Sequence, residues 1–286
     1  MTAPIALTGV RLRGDVAVFL KYVSLLAASA VVVVPLLAIV LTSLRTEGEL
    51  AGDANPLSAP ANWFNLHNYQ VAFTEGHMLR ALWNTSFILF FSLIGTVFIG
   101  SMTAYAIDRH RFRGKKLVMT LFLIAALVPG VTTQVATYQV VNELGVMGTR
   151  WAPILLYMGT DIVSIYIFLQ FIRSIPVALD EAARIDGAGS LTIYWRVILP
   201  LLRPAIATVV IVKGVAIYND FYIPFLYMPA DGLGTISTSL FRFKGPFGAH
   251  WEVISAGAAL VIVPTLVVFL ALQRFIYNGF AAGATK

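Results

Sequence analysis

Cysteine is absent from the 286 residues, and charged side chains are scarce. Without cysteine the chain has no disulfide, no thiol nucleophile and no thiolate metal site, and its redox compartment stays open. Asp, Glu, Lys and Arg make up 12% of the residues, whereas soluble domains carry about a quarter. Hydrophobic residues make up 58%, and the mean hydropathy is +0.82. This balance predicts a protein of the lipid bilayer.

Sequence patterns of catalysis and metal binding are also missing. The nearest match to a phosphate loop, Gly114-Lys115-Lys116, lacks the upstream glycine and the final Ser or Thr. No nucleophile, base and acid are grouped, so we predict no catalytic residue, no bound cofactor and no enzyme. The histidines are scattered without the spacing of metal ligands, so no metal site is predicted either; they are His67, His77, His110 and His250.

Six apolar stretches follow one another along the chain. About 20 apolar residues cross the hydrocarbon as a helix, which satisfies its own backbone hydrogen bonds. The sequence therefore predicts an all-α membrane protein with a single transmembrane domain over residues 1–286. The six predicted spans cover residues 16–44, 82–107, 117–141, 151–172, 202–226 and 253–273.

The distribution of Lys and Arg predicts the orientation in the membrane. With the N-terminus inside, fourteen basic residues fall on the inner side and five on the outer side, and Lys213 lies within a span. Cytoplasmic loops carry the excess of basic residues, so both termini are expected in the cytoplasm. The net charge of +6 is explained in this way, and no nucleic-acid partner is expected.

The most polar segment of the second half is Ser174–Pro204, between the fourth and fifth spans. Pro176 suits the first turn of a helix, and Asp180 follows near the positive end of its dipole. Gly187 can take positive φ, so we expect this helix to stop near Asp186. Ser190 is the predicted N-cap of a second helix. The result is an elbow, which the charge count puts on the cytoplasmic side.

The run Glu181-Ala182-Ala183, with Gly187 and then Val197-Ile198-Leu199-Pro200, resembles the EAA signature of ABC-importer permeases. The wider pattern, Ile-Pro-x-x-Leu-Asp-Glu-Ala-Ala-x-Ile-Asp-Gly-Ala-Gly, resembles the MalG-like branch, which serves carbohydrate uptake. The resemblance implies a type I ABC importer (MetI-like) permease fold with six transmembrane helices. It also implies that residues 174–200 form a cytoplasmic coupling-helix elbow between spans four and five.

In that family the elbow docks on a separate ATPase subunit, which binds ATP and Mg²⁺. Carried over residue by residue, the resemblance gives the expected ATPase-coupling residues as Asp180, Glu181, Ala182, Ala183, Asp186 and Gly187. It further implies a homologous second permease, two ABC ATPase subunits, an extracytoplasmic sugar-binding protein and membrane lipid as partners. The expected location is the bacterial cytoplasmic (inner) membrane, as a multi-pass protein.

Two ionisable residues, Asp161 and Lys213, fall in the middle of predicted spans. Such groups cost about 2.5–3.5 kcal/mol on insertion scales and are usually turned inward and paired. Both lie roughly 15 Å from the cytoplasmic end of their spans, at about 1.5 Å per residue. We therefore hypothesise an intramembrane ion pair, with a structural strut favoured over a substrate contact.

The stretch Tyr218-Asn219-Asp220-Phe221, followed by Pro224, resembles the Trp-Asn-Asp-Phe-x-x-Pro stretch of MalG-like permeases. Aromatic faces with amide or carboxylate groups suit sugar hydroxyls. Tyr218, Asn219 and Asp220 are therefore candidates for the substrate path. Packing at a helix end is an equally weighted alternative.

The combined interpretation is a permease subunit of an ATP-driven importer that moves a di- or oligosaccharide by alternating access. One alternative is an ABC permease for a glycerol-phosphate ester or another polar solute, with Lys213 as the only buried cation in the path. A second is a proton-coupled secondary transporter that uses Asp161 and Lys213, although the elbow would then have no partner.

Overall fold

The computed structural model describes residues 8–159, 161–230, 232–245 and 248–284. Helices dominate these residues, and a short antiparallel strand pair is present among them, in which Lys244 faces Ala249. The ends of the chain, residues 1–7 and 285–286, lie outside the described residues. In chain order the elements are α1 Thr8–Ser43, α2 Glu47–Gly52, α3 His67–Thr74, α4 Met78–Arg109, α5 Lys115–Leu127, α6 Gln134–Glu143, α7 Trp151–Met158, α8 Ile162–Ser174, α9 Ala178–Ile185, α10 Ser190–Ile193, a π-helix Tyr194–Ile198, α11 Leu199–Leu201, α12 Arg203–Asn219, α13 Tyr222–Tyr227, α14 Ile236–Ser239, a 3₁₀ turn Leu240–Phe243, β1 Lys244–Gly245, β2 Gly248–Ala249 and α15 Trp251–Ala284.

Internal contacts divide the chain into two compact units. The first comprises Met1–Ala72 and Phe243–Ile262, and the second comprises Phe73–Arg242 and Val263–Lys286. The elbow and every candidate site residue from the sequence belong to the second unit.

Within the described residues, Val16–Ser43 and Met78–Arg109 are long and apolar enough to cross a membrane as single helices. Two bent pairs of helices also qualify if each pair is one span. The first pair is α7 with α8. The second is Ser190–Leu201 with α12, and the bend in this second pair is 72°. The predicted third span is divided into α5 and α6, with Pro129 and Gly130 in the break. Membrane helices are therefore present, but the spans are more broken than hydropathy alone predicts.

In the first unit, Arg45 organises the segment after α1. Its buried guanidinium donates to the carbonyls of Asn55 at 2.8 Å, Glu49 at 2.8 Å and Asp53 at 2.7 Å. Thr46 and Glu49 form a capping box at the start of α2. The amides of Thr46 and Ala61 donate to the Glu49 carboxylate and hold the pKa of Glu49 below its usual range. The apolar side chains of α1 from Val16 to Leu37 are exposed, as expected of a helix that faces lipid or another subunit.

The second unit is built around α4, which contacts α7, α8, α12 and α14. Its small residues allow neighbouring helices to come close. A Cβ added at Gly95 would lie 2.5 Å from Met158 Cβ on α7, and one at Gly100 would lie 3.2 Å from the Phe168 ring on α8. The close packing along α4 follows from these missing side chains.

The close approach of α4 and α7 makes Gly95→Ala a sharp test of the packing. We expect it to lower the free energy of unfolding by about 1–3 kcal/mol, because the methyl group forces the two helices apart. Thermal unfolding of the detergent-purified protein measures the change. Gly214→Ala on α12 is the matched control, since its Cβ would meet only Leu93 Cδ1 at 3.8 Å. Equal stability of the two variants would contradict the proposed packing.

Candidate functional site

The elbow begins with α9, whose end is closed by Gly187. This glycine has φ +82°, a left-handed conformation that side chains with a Cβ rarely adopt. The amide of Ala188 donates to Ala183 O at 2.9 Å, and that of Gly187 donates to Arg184 O at 3.0 Å. These two bonds make a Schellman motif and satisfy the last carbonyls of the helix. The helix ends at Ile185 with Asp186 as its cap, as the sequence predicts.

One face of α9 is open to solvent. Of the predicted coupling residues, Glu181, Ala182, Asp186 and Gly187 are exposed, and Ala183 is half-buried. Large apolar side chains are exposed beside them at Val177, Leu179, Ile185 and Leu191. Ile185 is 87% exposed. Small residues with isolated apolar side chains on a short helix form a surface that another protein can approach closely.

Asp180 differs from the other five predicted coupling residues. It is 2% exposed, and its Oδ2 lies 2.6 Å from Arg109 Nε on α4. A side chain buried this deeply faces the interior of the unit and is not part of the open surface. The sequence did not indicate this contact, because Arg109 is one of several basic residues around the turn after the second predicted span, and nothing in the sequence distinguishes it from the others.

The second arm of the elbow differs from the prediction at its start. Gly189, in an extended conformation, occupies the N-cap position, and Ser190 is the first residue of α10 without a capping bond from its side chain. The predicted cap at Ser190 was therefore wrong by one residue, because Gly189 already supplies the non-helical geometry that a cap requires. The arm then continues through the π-helix, in which Tyr194 is buried.

Asp161 and Lys213 come together inside the second unit. Lys213 Nζ on α12 lies 3.2 Å from Asp161 Oδ1, and the two side chains are 22% and 16% exposed. Asp161 occupies the N-cap position of α8 and also accepts a short hydrogen bond from Ser164 Oγ. The two charges therefore compensate each other, and the carboxylate lies at the positive end of a helix dipole.

Tyr218, Asn219 and Asp220 lie where α12 ends. Asn219 is exposed and its Nδ2 donates to Val215 O at 2.9 Å. Asp220 Oδ1 accepts from the amide of Ile223 at 3.2 Å, so it caps the start of α13. The hydroxyl of Ser237 donates to Asp220 O at 2.6 Å. Asp220 therefore contacts the backbone at a helix end, and Asn219 is the more accessible of the two.

Two arrangements of polar side chains in the structure were not indicated by the spacing of residues in the sequence. In the first unit, ligand-type atoms of Glu47, His250 and Glu252 lie within 4.8 Å of one another, with His250 Nδ1 3.2 Å from Glu252 Oε1. In the second unit, the fully buried Asn84 donates to Gly232 O and Gly234 O at 3.0 Å each. Both involve residues far apart in sequence, so no local pattern could indicate them.

Residues 96–281 match the family described as "Binding-protein-dependent transport system inner membrane component". The match covers more than half of the chain and includes the elbow and the Asp161–Lys213 pair. The chain belongs to this family. Its members are permease components of transport systems, so this permease is a membrane transport subunit and not an enzyme.

Two relatives from Bacillus subtilis (strain 168) illustrate the similarity. The permease is 30% identical over 271 residues to the melibiose/raffinose/stachyose import permease protein MelC, covering 93% of this chain and 97% of the relative. It is 34% identical over 205 residues to the galactooligosaccharides transport system permease protein GanQ, covering 71% and 72%. The crystal structure of a bacterial ABC transporter involved in the import of the acidic polysaccharide alginate contains a chain that matches with a TM-score of 0.76 and 20% identity; the match covers 95% of this chain and 99% of that chain. This permease therefore has the fold of ABC-importer permeases.

A double-mutant cycle tests the contribution of the Asp161–Lys213 pair. We expect Asp161→Asn and Lys213→Met each to lower the free energy of unfolding by about 1–3 kcal/mol, because each leaves a charge unpaired inside the protein. The double variant should be no less stable than the worse single variant, with a coupling energy of about 1 kcal/mol or more. Thermal unfolding of the purified permease gives all three values. If the stability losses of the two single variants add up in the double variant, the hypothesis of a stabilising pair is contradicted.

Proposed function

We propose that this permease is one of two membrane subunits of an ATP-driven importer for a di- or oligosaccharide. The observation that carries the proposal is the solvent-exposed elbow surface, with Glu181 and Ala182 on α9 and a Schellman turn at Gly187. A short helix with small, exposed side chains on one face has the shape needed to dock in a cleft of an ATPase. The matched family consists of binding-protein-dependent systems, which agrees with such a partner.

The substrate class is inferred from the relatives. Their names specify melibiose, raffinose and stachyose, galactooligosaccharides, and starch degradation products. The fourth relative, AraQ, is named for arabinooligosaccharides. Neutral oligosaccharides are common to these names, and we assign the same class to this permease.

The charge balance of the interior favours a neutral substrate. Lys213 is the intramembrane cation that an anionic solute such as a glycerol-phosphate ester would need, and it is already compensated by Asp161 at 3.2 Å.

The proposed topology has six spans and both termini in the cytoplasm. The first, second and sixth spans correspond to α1, α4 and α15. The third corresponds to α5 with α6, the fourth to α7 with α8, and the fifth to α12 with α13. The excess of basic residues on the proposed inner side supports this orientation in the bacterial cytoplasmic membrane. Exposed apolar side chains on α1 would contact lipid or the homologous second permease.

The complete importer would contain the second permease, two ABC ATPase subunits and an extracytoplasmic sugar-binding protein. ATP and Mg²⁺ would be held by the ATPases, since this chain contains no phosphate loop. Closure of the ATPases on ATP would push the elbow, and the spans would rock to open the path towards the binding protein. Tyr218 and Asn219 are the proposed path contacts, and Asp220 would hold the turn that presents them.

ATP hydrolysis by the reconstituted importer tests the substrate class. We expect the binding protein loaded with raffinose, melibiose or maltose to raise hydrolysis severalfold, and glycerol 3-phosphate to leave it unchanged. Stimulation by glycerol 3-phosphate alone would contradict a sugar importer. Uptake that continues after ATP depletion, while a proton gradient persists, would instead support a secondary transporter.

Gly187 provides a test of the elbow as the ATPase docking site. We expect Gly187→Val to reduce co-purification of the ATPase about tenfold, because a β-branched residue at φ +82° costs about 1–2 kcal/mol and opens the turn. Gly189→Ala is the matched control, since Gly189 has φ −73° and no heavy atom within 4 Å of an added Cβ. Full ATPase recovery with the valine variant would count against docking through this turn.

A further inference from the structure

Three polar side chains on α4 contact the elbow. Ser101, Tyr105 and Arg109 are spaced four residues apart, so they share one face of the helix. Ser101 Oγ lies 2.8 Å from the Tyr194 hydroxyl, and the Tyr105 hydroxyl donates to Ser190 O at 3.4 Å. Arg109 pairs with Asp180, as described above. The first two residues contact the second arm of the elbow and Arg109 contacts the first arm.

Arg109 makes the most extensive of these contacts. Its side chain is 5% exposed, and its Nη2 donates to the carbonyls of Ile175 at 2.7 Å and Ile172 at 3.3 Å. These carbonyls lie at the C-terminal end of α8, where the Ile172 carbonyl also accepts from the amide of Ile175 at 3.0 Å. The same guanidinium lies 2.6 Å from Asp180 in the first turn of α9. One side chain on α4 therefore joins the end of α8 to the start of the elbow.

The charges around Arg109 compensate one another. Asp108 Oδ2 lies 2.8 Å from Arg109 Nη1, and Arg173 Nε lies 3.6 Å from Asp108 Oδ1. Asp180 Oδ2 lies 2.6 Å from a different nitrogen of the same guanidinium, Arg109 Nε. Among the ion pairs of the described residues, Arg109 is the partner of Asp180. Moving the elbow without α4 would leave the buried carboxylate of Asp180 without its cation, which is strongly unfavourable.

The opposite end of α4 contacts the loop between α13 and α14. Asn84 in its second turn donates to Gly232 O and Gly234 O. The 32 residues of α4 extend roughly 48 Å at about 1.5 Å per residue, which exceeds the thickness of the hydrocarbon. One continuous helix thus links the elbow to the loop on the far side of the second unit.

We propose that Arg109 is a positioning residue that makes α4 move with the coupling elbow. The proposal rests on the proposed function, because it requires an ATPase that displaces the elbow. The guanidinium transmits the displacement through its pair with Asp180 and its two carbonyl bonds, and Ser101 and Tyr105 hold the second arm against the same face.

Spin labels in the complete importer test this movement. The chain has no native cysteine, so nitroxides can be attached at Ile185→Cys on the elbow and Leu79→Cys at the outer end of α4. Both side chains are exposed. The distance between the labels is measured by double electron–electron resonance, without nucleotide and with a non-hydrolysable ATP analogue. With Arg109 present, the label-to-label distance without nucleotide and the distance with the analogue should agree within about 2 Å, the scale of small helix shifts.

Arg109→Gln should break this agreement, and the distance should shift by more than about 2 Å or broaden when the analogue binds. Arg173→Gln is the matched control, because Arg173 is 57% exposed and should behave as the unaltered protein does. Arg109→Lys retains the charge but not the planar set of donors, so it should fall between the two.

Two outcomes would overturn the proposal: a constant distance in Arg109→Gln, or a distance that changes on nucleotide binding even with Arg109 present. If Arg109→Gln fails to assemble, Asp180→Asn replaces it, since Arg109 then keeps both carbonyl bonds and the same distance criterion applies. Failure of the unaltered permease to bind any ATPase would instead refute the proposed function, so the two failures are distinguishable.

Discussion

The hydrocarbon of a membrane offers no hydrogen-bond partner, so polar groups within the spans must be satisfied by the protein itself. This constraint explains why the spans are helices and why charged side chains within them are paired. Lys213 compensates Asp161, and Asp220 caps the helix that follows it. Where a helix is interrupted, as between α12 and α13, a side chain or a neighbouring loop takes over the freed backbone groups.

Helix α4 meets this constraint in two ways along its length. Its glycines allow α7 and α8 to approach closely. Because lipid removes the hydrophobic driving force between helices, this close van der Waals contact stabilises their association. Near one end Asn84 donates to the carbonyls of Gly232 and Gly234, and at the other end Arg109 pairs with Asp180 of the elbow. The helix is therefore packed tightly in its middle and held by hydrogen bonds and charge at its ends.

The elbow has two surfaces with different roles, and consecutive residues divide between them. Asp180 is buried against Arg109, whereas Glu181 and Ala182 are exposed. The exposed surface suits the ATPase partner proposed above, and the buried surface ties the elbow to α4. A short helix can link an external subunit to the membrane only if both surfaces are present, and here one turn of α9 provides both.

The sequence by itself determined the helical membrane character, the elbow with its glycine stop at Gly187, and the similar depth of Asp161 and Lys213. These features depend on composition, local turn chemistry and helix rise, which need no knowledge of neighbouring helices. Only the tertiary structure decided that Asp180 is buried and that Arg109 is its partner. Helical periodicity shows which residues share a face, but which face a distant helix covers depends on packing between segments far apart in the chain.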